Sequence, residues 1–442
     1  MKRFNFTLLA ALAFSSLSMA QSLCDGGRYS GNVFTNVTVT NDIVFGSNSS
    51  FTGATTSLKL DFYEPTGDTE TKRPLIILAH GGSFQFGTSQ DQDVSSLCNT
   101  FAKKGYACAS INYRLGFFPL DSANAIKAVL RAVQDMKASV RFFYKDSKDG
   151  ANVYKIDTNN IFIGGSSAGA ITALHTAYLD KECELSDYMS TSVLNTMGGI
   201  DGNSGNAGYS MKVNGVINLC GALAKYGWLE AGDLPLCSMH GTNDATVKYN
   251  RGVVNPGVPL MYLDGSRMLD EHACATGISS SFFTWRGAPH VPYAGTGAAQ
   301  LAYMDTTVKF IRDYLISRLG CDDAILQPEN MPAETANLYA YTSCGTSFPA
   351  GVCLLSVENN EAANLIHLVY PNPSENEMNI AFADQNQSHQ VELVDLAGRV
   401  VRSGKTAEGT FILRKEELKA GNYILRISNN RGEMSTQHVV FY

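Results

Sequence analysis

The stretch IFIGGSSAGAITALHTAYL, residues 161–179, holds two adjacent serines, Ser166 and Ser167, in a corner made of glycine and alanine. A β-branched apolar run leads into the corner and an alanine-rich amphipathic pattern leads out, which predicts a strand, a tight turn and a helix. Gly165 and Gly169 flank Ser167 at the G-x-S-x-G spacing of a nucleophile on a strained strand-to-helix turn, where only small neighbours fit. Ser166 fits this spacing less well, since one of its flanks is alanine. The sequence therefore favours Ser167 as a nucleophile over a glycine-rich turn with incidental serines.

Apolar segments of strand length alternate with helical patterns on both sides of this corner. LIILAH, residues 75–80, is an unbroken apolar run, as expected for a strand covered on both faces. Residues 29–63 alternate polar and β-branched residues, which predicts antiparallel lead-in strands. The alternation as a whole predicts an α/β domain over residues 21–320, with a mostly parallel sheet and helices on both faces. The further strands are predicted at residues 106–115, 213–221, 235–241 and 281–287, and the helices at residues 92–105, 122–147 and 302–320.

Both ends of the chain differ from this pattern. Residues 1–20 combine a charged start, a short apolar stretch and a small-residue cleavage site, which predicts a secretory signal peptide. The apolar part is too short to span a membrane, and no later segment is long enough. Residues 321–365, with prolines and cysteines, predict a linker, and residues 366–442 predict a small all-β sandwich domain of short alternating strands. The irregular residues 180–212 leave two alternatives, a lid and a surface excursion.

The charge and the cysteine content restrict the partners and the compartment. The net charge of -7 argues against nucleic acid or an anionic membrane surface as a partner. All ten cysteines lie beyond the predicted signal peptide, in agreement with export to an oxidising compartment. Cys344 with Cys353, and Cys237 with Cys274, could close small disulfide loops, although spacing alone does not fix the pairing. Because no cysteine or histidine cluster has metal-ligand spacing, we expect no metal ion.

A serine nucleophile for acyl transfer needs N–H donors for the oxyanion that forms on the substrate carbonyl. HGGSF, residues 80–84, directly follows the apolar strand, and its glycines allow the backbone to turn its amides toward a site. We predict donors at the N–H groups of Gly82, Ser83 and Ala168, the last at the start of a helix whose dipole favours negative charge. His80 is predicted to hold this loop by a hydrogen bond rather than to transfer protons.

Chain order and local context select the base and the acid. For a nucleophile on such a strand-to-helix turn, the order is nucleophile, acid and then histidine. His290 lies in a Gly/Pro loop after a predicted strand, whereas His272 lies on a helical pattern and His240 precedes the best acid. Asp244, just past the strand PLCSMHG, is the predicted acid, which would fix the tautomer of the imidazole. The alternative acids are Asp233 and Asp264.

Four motifs in this order, HGGSF, GSSAG, HGTNDATV and GAPH, together resemble the α/β-hydrolase superfamily, in particular its carboxylesterases and lipases. The segments LDFYEP, INYRLG and QDMKASVRFF are also similar to secreted bacterial esterases, so the resemblance covers residues 30–320. It implies hydrolysis of carboxylic esters by a Ser–His–Asp triad of Ser167, His290 and Asp244, without a cofactor. The chain departs from the family at two places: Ser83 replaces the third glycine of the common HGGG run, and a serine precedes the nucleophile where carboxylesterases often have glutamate.

The last predicted domain resembles a type IX secretion sorting domain through YPNPSENEMNI, VELVDLAGRVV and GNYILRI. The resemblance implies a Gram-negative bacterium of the Bacteroidota type, passage through the periplasm, and the type IX secretion machinery as a partner. It also implies a secreted or cell-surface protein from which the sorting domain is usually removed. A carbohydrate-binding sandwich is the alternative, but no platform of aromatic residues favours it.

The sequence therefore predicts a secreted serine esterase that acts through an acyl-enzyme. Its substrates would be short-chain esters, or acetyl or feruloyl esters of polysaccharides. A prolyl-type serine peptidase is one alternative, but such enzymes usually carry a large β-propeller, and too few residues precede residue 75 to form one. A non-catalytic binding protein on the same fold is the other, and it would have lost the nucleophile or the histidine.

Overall fold

A computed structural model describes residues 24–321, 334–344, 346–348, 365–384, 387–395, 399–430 and 434–442. The predicted signal peptide and most of the predicted linker lie outside these residues. The chain divides into two units, Met1–Cys353 and Leu354–Tyr442. The domain boundaries given above stay predictions. No helix within the described ranges is long and apolar enough to cross a membrane.

Eight strands form the central sheet of the first unit. In the sheet they lie in the order β1-β2-β4-β3-β5-β6-β7-β8, where the first two junctions are antiparallel and the other five are parallel. The predicted α/β class, a mostly parallel sheet with antiparallel lead-in strands, is therefore confirmed. The strands are β1 (Val37–Ser49), β2 (Thr55–Pro65), β3 (Arg73–Ala79), β4 (Ala107–Ile111), β5 (Ile156–Ser166), β6 (Gly215–Leu219), β7 (Leu236–Gly241) and β8 (Ser280–Trp285).

Helices cover both faces of this sheet. Leu75 and Ile77 of β3 pack in one apolar cluster with residues of the second and third helices, whereas Ile76 and Leu78 pack in another with residues of the first and last. A strand that is buried on both faces needs apolar residues at every position, which explains the unbroken LIILA run. The helices are α1 (Gln92–Lys103), α2 (Ser122–Asp149), α3 (Ala168–Tyr178), α4 (Thr191–Thr196), α5 (Ser266–Thr276) and α6 (Ala298–Arg318).

Shorter elements extend the loops of the first unit. Ala222–Leu223, Arg251–Val253 and Tyr262–Gly265 form a small antiparallel sheet near the end of β6. Tyr341–Ser343 pairs with Thr346–Phe348 as a hairpin. Three single-turn 3₁₀ helices complete the described elements, at Asp25–Gly27, Glu182–Leu185 and Tyr226–Trp228.

The irregular residues 180–212 are held against α2 by hydrogen bonds. Gln134 of α2 donates to the carbonyl groups of Met197 and Gly199, and Arg141 donates to that of Gly205. Lys137 forms an ion pair with Asp201 at 2.8 Å. The glycine-rich part of the segment is therefore a surface excursion anchored on this helix.

The cysteines pair across long sequence distances. Disulfides join Cys24 to Cys321 and Cys183 to Cys344, at sequence separations of 297 and 161. The small loops considered above, Cys344 with Cys353 and Cys237 with Cys274, are therefore wrong. Cys237 is a buried free thiol inside β7, whereas Cys274 lies on α5 and is disulfide-bonded. The other buried free thiols of the described chain are Cys98, Cys108 and Cys220.

The second unit is an all-β sandwich. Its two antiparallel sheets contain three and four strands, in the orders β9-β10-β13 and β12-β11-β14-β15, with β9 (Ile366–Tyr370), β10 (Glu377–Phe382), β11 (His389–Val394), β12 (Val400–Thr406), β13 (Thr410–Arg414), β14 (Gly421–Asn429) and β15 (Met434–Phe441). Met378 and Ile380 of one sheet share an apolar core with Leu393 and Leu425 of the other. This packing of two sheets face to face confirms the predicted sandwich.

Gly169→Ala is expected to destabilise the first unit, although alanine usually stabilises a helix by about 1 kcal/mol relative to glycine. A methyl group on Gly169 would lie 1.9 Å from the carbonyl oxygen of Ala79, so the α3 and β3 backbones would have to separate. We expect a cost of about 1–3 kcal/mol, measured by urea unfolding monitored by circular dichroism. Gly31→Ala is the control, since its nearest new contact would be 3.5 Å away. An unchanged midpoint for Gly169→Ala would contradict this account of the turn.

Candidate active site

Ser167 stands on the turn between β5 and α3 in a left-handed backbone conformation, with φ 54° and ψ -116°. Its N–H donates to the carbonyl of Leu219 at 2.9 Å, which fixes the turn against β6. The turn is so close to β3 that a Cβ atom on Gly165 would lie 2.4 Å from the Ala79 carbonyl oxygen. Gly165 and Gly169 are thus needed because the backbone of β3 occupies the space of their side chains.

The side chains of Ser167, His290 and Asp244 form one chain of hydrogen bonds. Ser167 Oγ lies 2.7 Å from His290 Nε2, and His290 Nδ1 lies 2.6 Å from Asp244 Oδ2. In the tautomer that fits both contacts, Nδ1–H donates to the carboxylate and the serine hydroxyl donates to Nε2. This places the serine proton within reach of a neutral imidazole.

Two loops that follow neighbouring strands hold the acid and the histidine together. Asp244 comes three residues after β7, and His290 comes five residues after β8. The loops are joined by hydrogen bonds from the N–H of Thr242 to the carbonyl of Trp285 and from that of Asn243 to Ala288. Because β7 and β8 are parallel, both loops leave from the same edge of the sheet, where Ser167 also lies.

Asp244 is buried and its carboxylate is saturated with donors. Oδ1 accepts from the N–H groups of Thr246 and Val247, at 2.9 and 2.8 Å. Burial raises the pKa of Asp244, but the hydrogen bonds from His240 and His290 outweigh it and lower the pKa below its ordinary value. The group is therefore a carboxylate at neutral pH, able to stabilise a positive charge on His290.

His240 is a second histidine in contact with the Asp244 carboxylate. Its position before the acid in the sequence disfavours it as the base. Its Nε2 lies 3.2 Å from Asp244 Oδ2 and 3.0 Å from the carbonyl oxygen of Val247, and its Nδ1 lies 2.7 Å from Ser266 Oγ. The ring is fully buried, so it has no route to a substrate. The four-residue spacing of HGTND was the signal that could have found it, since the turn after β7 brings residues 240 and 244 together.

The other candidates considered in the sequence lie elsewhere or have other partners. Ser166 Oγ pairs with the buried hydroxyl of Tyr293 at 2.7 Å. Asp264 accepts from the backbone of Tyr226 and pairs with Arg251, away from His290. The remaining two candidates make hydrogen bonds to the backbone of other residues. Asp233 Oδ2 accepts from the N–H of Glu230, and His272 Nε2 donates to the carbonyl of Leu229.

The HGGSF loop carries three consecutive residues of positive φ: Gly82 at 100°, Ser83 at 57° and Phe84 at 61°. Ser83 thus adopts the left-handed conformation that the third glycine of an HGGG run would adopt without strain. Asp93 accepts from the N–H of Gly81 at 3.1 Å, and His80 Nδ1 donates to the carbonyl of Gly81 at 2.7 Å. Burial raises the pKa of the Asp93 carboxyl.

The N–H groups of Gly82, Ser83 and Ala168 make no hydrogen bond within the described part of the chain. All three residues line the cavities next to Ser167. Unpaired backbone donors beside a nucleophile can bind an oxyanion, because their dipoles are fixed before the charge develops.

Two cavities meet at Ser167 and differ in polarity. The first, here called the apolar pocket, runs beneath α2 and α3 and includes Val129, Ile171, Trp228, Leu260 and Met261. The second, here called the polar groove, is open to solvent and includes Gly82, Asp93, Thr246, Asn255 and His290. Ser83 and Ser167 belong to both cavities, whereas His290 lines only the polar groove.

One group of possible metal ligands occurs in the described chain. The ligand atoms of Cys220, Asp244 and His290 lie within 4.8 Å of one another. Asp244 and His290 are already bonded to each other, and burial raises the pKa of the Cys220 thiol, which disfavours the thiolate that a metal requires. We assign no ion to this group.

Comparison with known proteins agrees with the topology. Residues 60–224 match the BD-FAE family model, and residues 368–441 match the model of the secretion system C-terminal sorting domain. The first unit therefore contains an esterase-type α/β-hydrolase domain, and the second unit contains a C-terminal sorting domain. The sorting domain marks this hydrolase as a secreted or cell-surface protein and implies the type IX secretion machinery as its partner.

The hydrolase is also similar to solved structures and to one curated relative. Esterase 2 of Thermogutta terrifontis phosphonylated by cyclosarin is 19% identical with a TM-score of 0.47, over 63% of this chain and 94% of that one. The propionate-bound form of that esterase is 20% identical with a TM-score of 0.46, over 65% and 96%. The neuroligin-like protein glit-1 of Caenorhabditis elegans is 23% identical over 219 residues, 47% of this chain. The matched region spans only 28% of that relative.

Ser166→Ala is expected to lower the free energy of unfolding of the hydrolase by about 1–3 kcal/mol, because it leaves the buried Tyr293 hydroxyl without its partner. Tyr293→Phe removes the other partner, so the double variant should cost less than the sum of the two single changes. Chemical denaturation of the four proteins measures this coupling. Strict additivity would contradict a direct Ser166–Tyr293 hydrogen bond.

Proposed function

We propose that this hydrolase is a serine esterase in which Ser167 is the nucleophile, His290 the general base and Asp244 the group that orients and stabilises the imidazolium. The observation that carries the proposal is the unbroken series of contacts from Ser167 Oγ through His290 to Asp244, at 2.7 and 2.6 Å. The ionised state of Asp244 supports the role of that residue, because only a carboxylate stabilises a charged histidine.

In the proposed mechanism, His290 Nε2 removes the proton of Ser167 as Oγ attacks the ester carbonyl carbon. The oxyanion is bound by the N–H groups of Gly82, Ser83 and Ala168, and the dipole at the start of α3 adds to their effect. The tetrahedral intermediate collapses as His290 gives its proton to the leaving alcohol, which leaves an acyl-enzyme. A water molecule activated by His290 then attacks the acyl carbonyl and releases the acid and free Ser167.

The two cavities suggest how the two halves of an ester are oriented. Because His290 protonates the leaving alcohol, the alcohol must lie on the side of His290, which is the polar groove. The acyl group then enters the apolar pocket, whose wall is formed by side chains such as Ile171 and Met261. We therefore propose substrates with an apolar acyl group, either short-chain esters or aryl esters of the feruloyl type. The alcohol part would be polar, such as a polysaccharide hydroxyl, because it lies in the polar groove.

Two other functions compete with this proposal. A non-catalytic binding role on the same fold is one of them, and the presence of Ser167, His290 and Asp244 in mutual contact argues against it. A prolyl-type peptidase activity is the second, and it would use the same three side chains on an amide. Both differ from the esterase in their response to simple ester substrates.

Ser167→Ala is expected to lower kcat for p-nitrophenyl butyrate by about 10⁴–10⁶-fold, because the acyl-enzyme can no longer form. Spectrophotometric release of p-nitrophenol measures the rate. Ser166→Ala is the matched control on the adjacent residue and should keep most of the activity, provided that the assay is run where this variant is folded. A wild-type protein that is inert toward esters would support the binding role, and cleavage of proline amides without ester hydrolysis would support the peptidase.

Val129→Phe is expected to change acyl-chain preference, because Val129 lines the apolar pocket and is partly exposed to it. The ratio of kcat/KM for p-nitrophenyl butyrate over that for the acetate should fall by about tenfold or more, the usual effect of a few methylene groups in an apolar pocket. Val153→Phe is the control, since Val153 is 70% exposed and lies outside both cavities. An unchanged ratio in Val129→Phe would place the acyl group elsewhere.

A further inference from the structure

Helix α2 borders a third cavity on a face that does not line the apolar pocket. Ile126 and Val129 of α2 contribute to the apolar pocket. Lys127 and Arg131 are four residues apart, so they lie on the same face of the helix, and they line the third cavity. We call this third cavity the basic pocket. Its other polar walls come from Asn48, Ser192 and Asn203.

The positive charge of the basic pocket is not neutralised by its own lining. Arg114 also contributes to the lining, but it forms a buried ion pair with Asp135 at 2.8 Å, and its remaining N–H groups donate to Ser49, Gln134 and Ser204. Of the described residues that line the pocket, none is acidic. Lys127 and Arg131 make no ion pair with any residue in the described ranges, so they leave an excess of two positive charges.

Arg131 carries an unpaired donor at this position. Its side chain donates from Nη2 to the carbonyl oxygen of Gly116 at 2.8 Å, while its Nε is buried and has no hydrogen-bond partner. Arg131 is only 8% exposed. Burial and the neighbouring Arg114 lower the pKa of Arg131 to about 10, so the group stays charged at neutral pH. A largely buried cation that has no carboxylate partner is stabilised when an anionic group binds beside it.

We propose that the basic pocket binds a small oxyanion of the carboxylate or phosphate class through the guanidinium of Arg131 and the ammonium group of Lys127. An anionic ligand would offset both positive charges, and the amide and hydroxyl groups of the lining would donate to its oxygens. The site is distinct from Ser167, and the inference does not depend on the esterase activity. The anion is either free in solution or the acidic group of a sugar on a larger ligand.

Isothermal titration calorimetry of the full chain with inorganic phosphate and with sodium glucuronate, at constant ionic strength and with sodium chloride as the reference, tests the proposal. At least one of the two anions should bind with a stoichiometry of one and raise the melting temperature. Binding of phosphate alone identifies a free phosphate-type ligand, and binding of glucuronate identifies a sugar carboxylate. If neither anion binds at millimolar concentration, the proposal is wrong.

Arg131→Gln should weaken binding by about tenfold or more, the effect of losing one charge-assisted hydrogen bond. Lys127→Gln should also weaken it. Because Lys127 is only half-buried, this variant tests the site if Arg131→Gln does not fold. Lys145→Gln is the matched control, since Lys145 is an exposed lysine on the same helix outside the basic pocket. Equal weakening by Lys127→Gln and Lys145→Gln would mean that only the overall charge matters and would overturn the proposal.

Discussion

The carbonyl oxygen of Ala79 at the end of β3 lies where a side chain on Gly165 or Gly169 would have to be. This contact lets α3 start immediately against the sheet. It forces Ser167, midway between the two glycines, into a backbone conformation of positive φ that projects its hydroxyl above the strand ends. The same strand continues directly into the HGGSF loop, so a single close approach fixes both Ser167 and the unpaired amides beside it. The strain at Ser167 is supported by the packing of the two sheet faces and by the hydrogen bond from its N–H to Leu219.

The remaining members of the site reach Ser167 through the order of the strands. Parallel pairing of β6, β7 and β8 brings three successive loops to one edge of the sheet, and hydrogen bonds between the second and third loops set the separation of Asp244 and His290. His240 and the amides of Thr246 and Val247 then hold the Asp244 carboxylate in one orientation. In the proposed mechanism, an imidazole held in this way needs no reorganisation when it becomes charged, and such preorganisation is usually the largest contribution to the rate.

Much of this arrangement could be predicted from the sequence, because its signals are local. Each signal can be recognised within a few residues. The unbroken apolar run predicts the buried strand β3, the glycines around Ser167 predict the tight turn, and the glycine and proline near His290 predict its loop. The disulfides could not be predicted in this way: Cys24 and Cys321 are brought together only by the complete fold, and a short spacing such as that of Cys237 and Cys274 means little when one thiol lies inside a central strand. His240 and the charge of the basic pocket were missed for a similar reason, since each depends on which side chain faces which across the folded chain.

The central claim is that Ser167, and not its neighbour Ser166, is the activated hydroxyl. Its most direct measurement is reaction of the folded protein with a fluorophosphonate, which forms a stable adduct only on a serine activated by a base, followed by peptide mass spectrometry of residues 161–179. We expect a single stoichiometric adduct on Ser167 that disappears in His290→Ala. An adduct on Ser166, or an unreactive wild-type protein, would contradict it.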